Sequence, residues 1–161
     1  MKPHYLFLAL LLYCSAVGQT KLSITQDPRL AFVGDDKGNT AFTTNITARL
    51  TQDLWGEGWV LPLAYVEYEY ADLRDPFNKI GLGFGLRVDY LIKDVEFTVL
   101  YGVNKTYRSY GTFANWDLVG NVGYKIASGL EVIAELQQTK RNDIKKQPFI
   151  YSGKLGLRFT L

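Results

Sequence analysis

The chain has 161 residues, 18 Lys and Arg against 16 Asp and Glu, a formal net charge of +2 and 14% aromatic residues. That length fits a single domain, and so small a charge gives no electrostatic case for nucleic acid as a partner. The only cysteine, Cys14, and the only histidine, His4, both stand near the start, so the rest of the chain has no disulfide, no thiolate or imidazole ligand and no histidine base, and neither a metal nor a cofactor is expected.

Residues 1–18 read differently from everything after them. Lys2 and His4 lead into the apolar run Tyr5-Leu6-Phe7-Leu8-Ala9-Leu10-Leu11-Leu12-Tyr13. This run is too short to span a bilayer as a helix and has the form of a secretory signal's apolar core. The small residues in Ser15-Ala16-Val17-Gly18 predict cleavage after Gly18, leaving 19–161 as the mature domain. A lipoprotein signal ending at Cys14 is the alternative, and bulky Tyr13 before the cysteine speaks against it.

Past this segment no apolar run approaches the roughly 20 residues of a membrane helix. Apolar side chains instead alternate with polar or tiny ones in stretches of about ten residues, broken by Gly, Asp, Asn, Ser or Pro, which is the pattern of strands. Strand one, about 22–33, turns Leu22, Ile24, Leu30 and Phe32 to the apolar face; Asp27-Pro28 interrupts it and predicts a bulge, because proline has no N–H for the ladder. Strand two, about 40–52, offers Phe42, Thr44, Ile46, Ala48 and Leu50, and strand three, about 59–73, offers Val60, Ala64, Val66, Tyr68 and Tyr70, with Pro62 near its start. Strand four is the clearest: Ile80, Leu82, Phe84, Leu86, Val88, Tyr90 and Ile92 on one face, Gly81, Gly83, Gly85, Arg87 and Asp89 on the other. Strands five (about 95–105), six (about 113–126), seven (about 130–140) and eight (about 149–161) repeat the sorting.

The apolar face has almost no charge in mid-strand, while the opposite face carries Arg49, Glu69, Asp89 and further charges. A soluble sandwich with a charged outer face also alternates. Large aromatics at two levels favour lipid: Trp59, Tyr90, Tyr124 and Phe159 at one end, Phe42, Tyr68, Tyr70 and Tyr151 at the other, the arrangement of interfacial girdles. The expected fold is all-β, an eight-stranded antiparallel up-and-down transmembrane β-barrel.

The closing stretch Gly153-Lys154-Leu155-Gly156-Leu157-Arg158-Phe159-Thr160-Leu161 resembles the terminal strand of the small eight-stranded outer-membrane barrels of the OmpA and OmpX type. The resemblance implies the outer membrane of a Gram-negative bacterium, reached after export through the inner membrane, with outer-membrane lipid as the surrounding partner. It also implies that the tight turns at 93–94 and 127–129 and the turn at 53–57 lie on the periplasmic side, with the loops near 34–39, 74–79, 106–111 and 141–147 outside.

Folding the alternation into a closed barrel encloses the charged face. Opposite charges then meet across hairpins, Glu96 with Lys125, Lys125 with Glu131, Glu131 with Arg158, Glu135 with Lys154 and Glu67 with Arg87, as a lumen charge network. Lys105, Arg108, Lys140, Arg141, Lys145 and Lys146 form a basic rim that is either a solvated loop surface or a contact for anionic lipopolysaccharide phosphates. The sequons at Asn45 and Asn104 read as inward hydrogen-bonding positions, and the glycine run at 81–85, with no helix after it, makes room for bulky neighbours rather than a phosphate loop. No nucleophile stands with a base, so catalysis is not expected. The reading is an integral outer-membrane protein with a structural, anchoring or accessory role; a narrow channel for small solutes, or a subunit of a larger complex with envelope protein partners, are the alternatives.

Overall fold

A computed structural model describes residues 18–35, 38–55, 58–142 and 148–161. The expected signal at 1–18 lies, but for Gly18, outside the described residues. The elements are β1 (Thr20–Gln26), α1 (Pro28–Phe32), β2 (Asn45–Asp53), β3 (Val60–Ala71), β4 (Phe77–Ile92), β5 (Val95–Arg108), β6 (Gly111–Ala127), β7 (Leu130–Lys140) and β8 (Phe149–Thr160). Each strand pairs with the next, and β1 also pairs antiparallel with β8, so the sheet closes with eight strands and no free edge. We call the end holding Thr20 and Thr160 the lower end.

Burial is inverted relative to a water-soluble protein. Leu82, Phe84 and Leu86 are 56%, 66% and 52% exposed, whereas Arg49, Lys154 and Arg158 are each 2% exposed. Exposing large apolar side chains on every strand is stable only if their solvent is hydrocarbon, and a closed ladder is the only sheet that leaves no backbone group unpaired there. No helix among the described residues is long and apolar enough to cross a membrane, so the strands are the spanning elements.

Two expectations about strand ends are corrected. Strand one does not run to residue 33 with a bulge at Asp27-Pro28. It stops at Gln26, and the Asp27 side chain accepts hydrogen bonds from the backbone N–H of Arg29 (2.9 Å) and Leu30 (3.4 Å), capping α1 with Pro28 in its first turn. Leu30 is therefore buried at 3% while Phe32 is 76% exposed, so the two do not share a lipid face. Strand two begins at Asn45 rather than near 40; Phe42 ahead of it has φ 65, a left-handed conformation that no strand residue adopts.

The glycines of β4 and β5 shape the inside wall. Tyr65 of β3 lies against them: a Cβ on Gly83 would stand 2.8 Å from its ring, and one on Gly102 would stand 2.3 Å from its hydroxyl. With Leu63, Leu100 and Val119 this ring forms the apolar cluster of the interior.

Candidate functional site

Inward positions of successive strands build the lumen in layers. Near the lower end, the Lys21 amine meets Glu131 at 2.9 Å and also Glu96, and the Arg158 guanidinium meets Glu131 at 2.7 Å and Glu96 at 2.9 Å. Arg87 joins them, 2.8 Å from Asp53, 3.1 Å from Asp89 and 3.6 Å from Glu96. On the wall made by β3, β5 and β6 an apolar cluster of Leu63, Tyr65, Leu100 and Val119 follows, with the Arg49 guanidinium 5.6 Å from the centre of the Tyr65 ring. A second network follows. Arg49 pairs with Glu67 at 2.8 Å and with Glu135; Lys79 lies 2.9 Å from Glu67, 2.7 Å from Glu69 and 3.1 Å from Asp117; Lys154 lies 3.0 Å from Glu69. Hydrogen bonds from Lys154 to Thr47 (2.6 Å) and from Asn104 to Asp117 (2.7 Å) tie in neutral groups. Among the described residues, three cations face four carboxylates in each network.

The individual pairs differ from those drawn on the sequence. Glu131 stands opposite Arg158 and bonds it. Glu135 stands opposite Lys154, but its carboxylate goes to Arg49 while Lys154 turns to Glu69. Glu67 and Arg87 do not meet: Glu67 is opposite Gly81 and Arg87 opposite Leu61, because the β3–β4 turn spans only residues 72–76 and the expected register was displaced along β4. Glu96 is opposite Gly123, not Lys125, since the β5–β6 hairpin closes around Ser109-Tyr110 and moving its centre by one residue moves every partner by two. Lys125 is opposite Glu131, yet its side chain is exposed and makes no ion pair among the described residues. It sits at the rim of a lower basin of about 610 Å³ that Lys21, Glu96 and Glu131 also line.

The sequence pattern also left out Lys21, Asp53, Lys79 and Asp117, all buried in the lumen. Their inward parity was available: extending each strand by one or two residues places all but Asp117 on the enclosed face, and Asp117 already sits between outward Trp116 and Leu118.

The basic rim divides. Lys105 and Lys140 lie on the outward face of β5 and β7, Lys105 over the Tyr107 ring at 5.7 Å and Lys140 level with Trp116 and Phe149. Arg108 and Arg141 instead line an upper vestibule of about 270 Å³, where Arg108 pairs with Asp75 at 2.6 Å and stacks on Phe77. Lys145 and Lys146 lie outside the described residues. The two sequon asparagines, Asn45 and Asn104, are 6% and 5% exposed and point into the lumen.

No protein-family model and no curated protein sequence matches this chain. Solved structures do. The outer membrane protein Ail of Yersinia pestis in a phospholipid nanodisc superposes with a TM-score of 0.59 at 11% identity, over 89% of this chain and 99% of Ail. Neisserial surface protein A gives 0.51 at 14% identity, over 89% and 95% of the two chains. A de novo designed transmembrane β-barrel gives 0.60 at 13% identity, over 90% and 97%. A designed sequence matching as well as natural ones marks the likeness as one of architecture. The chain has the fold of the small eight-stranded outer-membrane β-barrels.

Proposed function

We propose that this protein is an integral outer-membrane barrel with a structural, anchoring or accessory role, whose lumen is closed to solutes. Its signal, residues 1–18, is removed on export through the inner membrane. The observation that carries this reading is the filled lumen, in which two buried ion-pair networks and the apolar cluster of Leu63, Tyr65, Leu100 and Val119 occupy the interior. A solute crossing it would have to break networks whose partners are buried and also displace the apolar side chains beside them, in a barrel whose eight strands leave little width beyond their own side chains. The reading is non-catalytic: beyond Cys14 the chain offers neither thiol nor imidazole. Two experiments test it. The mature protein is expected to fractionate with outer membranes and resist carbonate extraction, and pure protein in planar bilayers is expected to give no steady conductance. Recovery in the soluble periplasm defeats the membrane assignment, and large stable conductance steps defeat the closed lumen in favour of a channel.

Outer-leaflet lipopolysaccharide is the proposed lipid partner. Lys105 and Lys140 support it, because both amines project from the lipid-facing wall beside the aromatic group of Tyr101, Trp116 and Phe149, whose successive ring centres are 5.9 Å apart. Amines flanked by rings at this level suit phosphate groups at the hydrocarbon boundary. Replacing both by glutamine is expected to reduce co-purifying lipopolysaccharide while the barrel still folds; unchanged lipid content removes this partner.

A further inference from the structure

The upper vestibule is roofed in part by α1, which sets Leu30 into it, and floored by Glu69 and Lys79 of the upper network. Leu73, Phe77 and Ile150 give it an apolar side. Among the described residues four carboxylates and four cations line it, and they compensate one another, as in Asp75 with Arg108 at 2.6 Å and Glu69 with Lys79 at 2.7 Å. What is left over is hydrogen-bonding capacity on two neutral amides and on the Nε of the already paired Arg108. Asn45 Oδ1, Gln137 Oε1 and Arg108 Nε are buried without a partner among the described residues; Asn45 is 6% and Gln137 1% exposed. The Gln137 amide nitrogen donates to Thr139 Oγ1 at 3.3 Å, leaving the oxygen as its open end. A buried acceptor without a donor costs free energy that a native fold rarely leaves uncompensated, and here the three residues that carry these atoms all line one cavity.

We propose that this vestibule binds a small neutral hydroxyl-rich molecule of about monosaccharide size. Its hydroxyls donate to Asn45 and Gln137 and accept from Arg108, and its carbon face packs on Leu30 and Phe77. The volume agrees: at interior packing density a cavity of about 270 Å³ holds on the order of a dozen non-hydrogen atoms. A charged ligand would add a charge to a lining that already balances, at a desolvation cost. The single excess carboxylate of the network beneath makes an ammonium compound the sharpest competitor.

The test is a titration of ¹⁵N-labelled protein in phospholipid nanodiscs, which keeps glycoside detergents out. The probes are methyl glucopyranoside, propylammonium chloride and sodium propionate at equal ionic strength. Methyl glucopyranoside is expected to give saturable shifts at vestibule residues in the millimolar range, with the two ions binding more weakly. Gln137→Leu, close in volume but without the acceptor, is expected to weaken this binding about tenfold; Asn45→Leu carries the same expectation should Gln137→Leu fail to fold. The proposal is overturned by the absence of saturation at about 100 mM glucoside, by tighter binding of propylammonium or propionate, or by unchanged affinity in the variants that fold.

Discussion

Arg49 reaches Glu67 and Glu135 at once from a side chain that is 2% exposed, and its network holds one carboxylate more than it holds cations. That imbalance makes substitutions within it unequal. Arg49→Met leaves four carboxylates with two cations and is expected to cost about 3–5 kcal/mol, the range for stranding a buried charge. Asp117→Asn balances the network and preserves its contacts: an amide oxygen can accept from Lys79 and Asn104, while the amide nitrogen can donate to Thr139, whose hydroxyl now bonds the other carboxylate oxygen. It is expected to stay within about 1 kcal/mol of the parent. Urea unfolding in lipid vesicles measures both; equal losses would mean that the excess charge is already compensated.

Among the elements, α1 is the one that a strand pattern concealed. Asp27-Pro28 supplies a carboxylate for the first helical N–H groups and a proline where the missing N–H costs nothing, so a helix start outcompetes a bulged strand. The consequence is Leu30 inside the vestibule and a polar connection back to β2, in which Phe42 and Thr43 donate to the carbonyls of Ala31 and Leu30 at 3.1 and 3.2 Å. Asp27→Ala is expected to destabilise this element by about 1 kcal/mol. Hydrogen exchange should speed up at Ala31 and Val33, whose N–H groups close the turn, while amides in β4 and β5 keep their protection. Uniform acceleration across the barrel would instead make α1 part of the global folding unit.

At the level of the whole molecule, the barrel depends on its seam. β1 pairs with β8 only from Lys21 to Gln26, against a ladder from Val95 to Arg108 between β5 and β6. Gly156 lies in that seam, and a Cβ there would stand 1.9 Å from the Ile24 carbonyl oxygen and 2.7 Å from the Thr25 Cα. Both atoms are backbone, so the strands themselves would have to part. Gly156→Ala is therefore expected to impair closure, read as loss of the compact, heat-modifiable band on a gel. Gly153→Ala on the same strand, where a Cβ meets nothing within 4 Å, should leave that band unchanged. If the two variants behave alike, closure does not turn on this contact.

The number of strands, the face each residue occupies and the lipid character of one face were legible in the chain itself. They rest on a local period of two, which the backbone enforces within a single strand and which any even shift of register leaves intact. Hence Leu82, Phe84 and Leu86 could be placed on the outside, and Glu131 and Arg158 on the inside, without knowing a neighbour. Partner identity is not local in that way. The separation of Glu67 from Arg87, the exposure of Lys125 and the division of the rim, with Lys105 and Lys140 outward and Arg108 inward, depend on turn lengths and on the stagger of all eight strands around the closed sheet. Arg49 bonding Glu135 across 86 positions of sequence is fixed only when β2 and β7 face each other across the lumen, and closure is what brings them there.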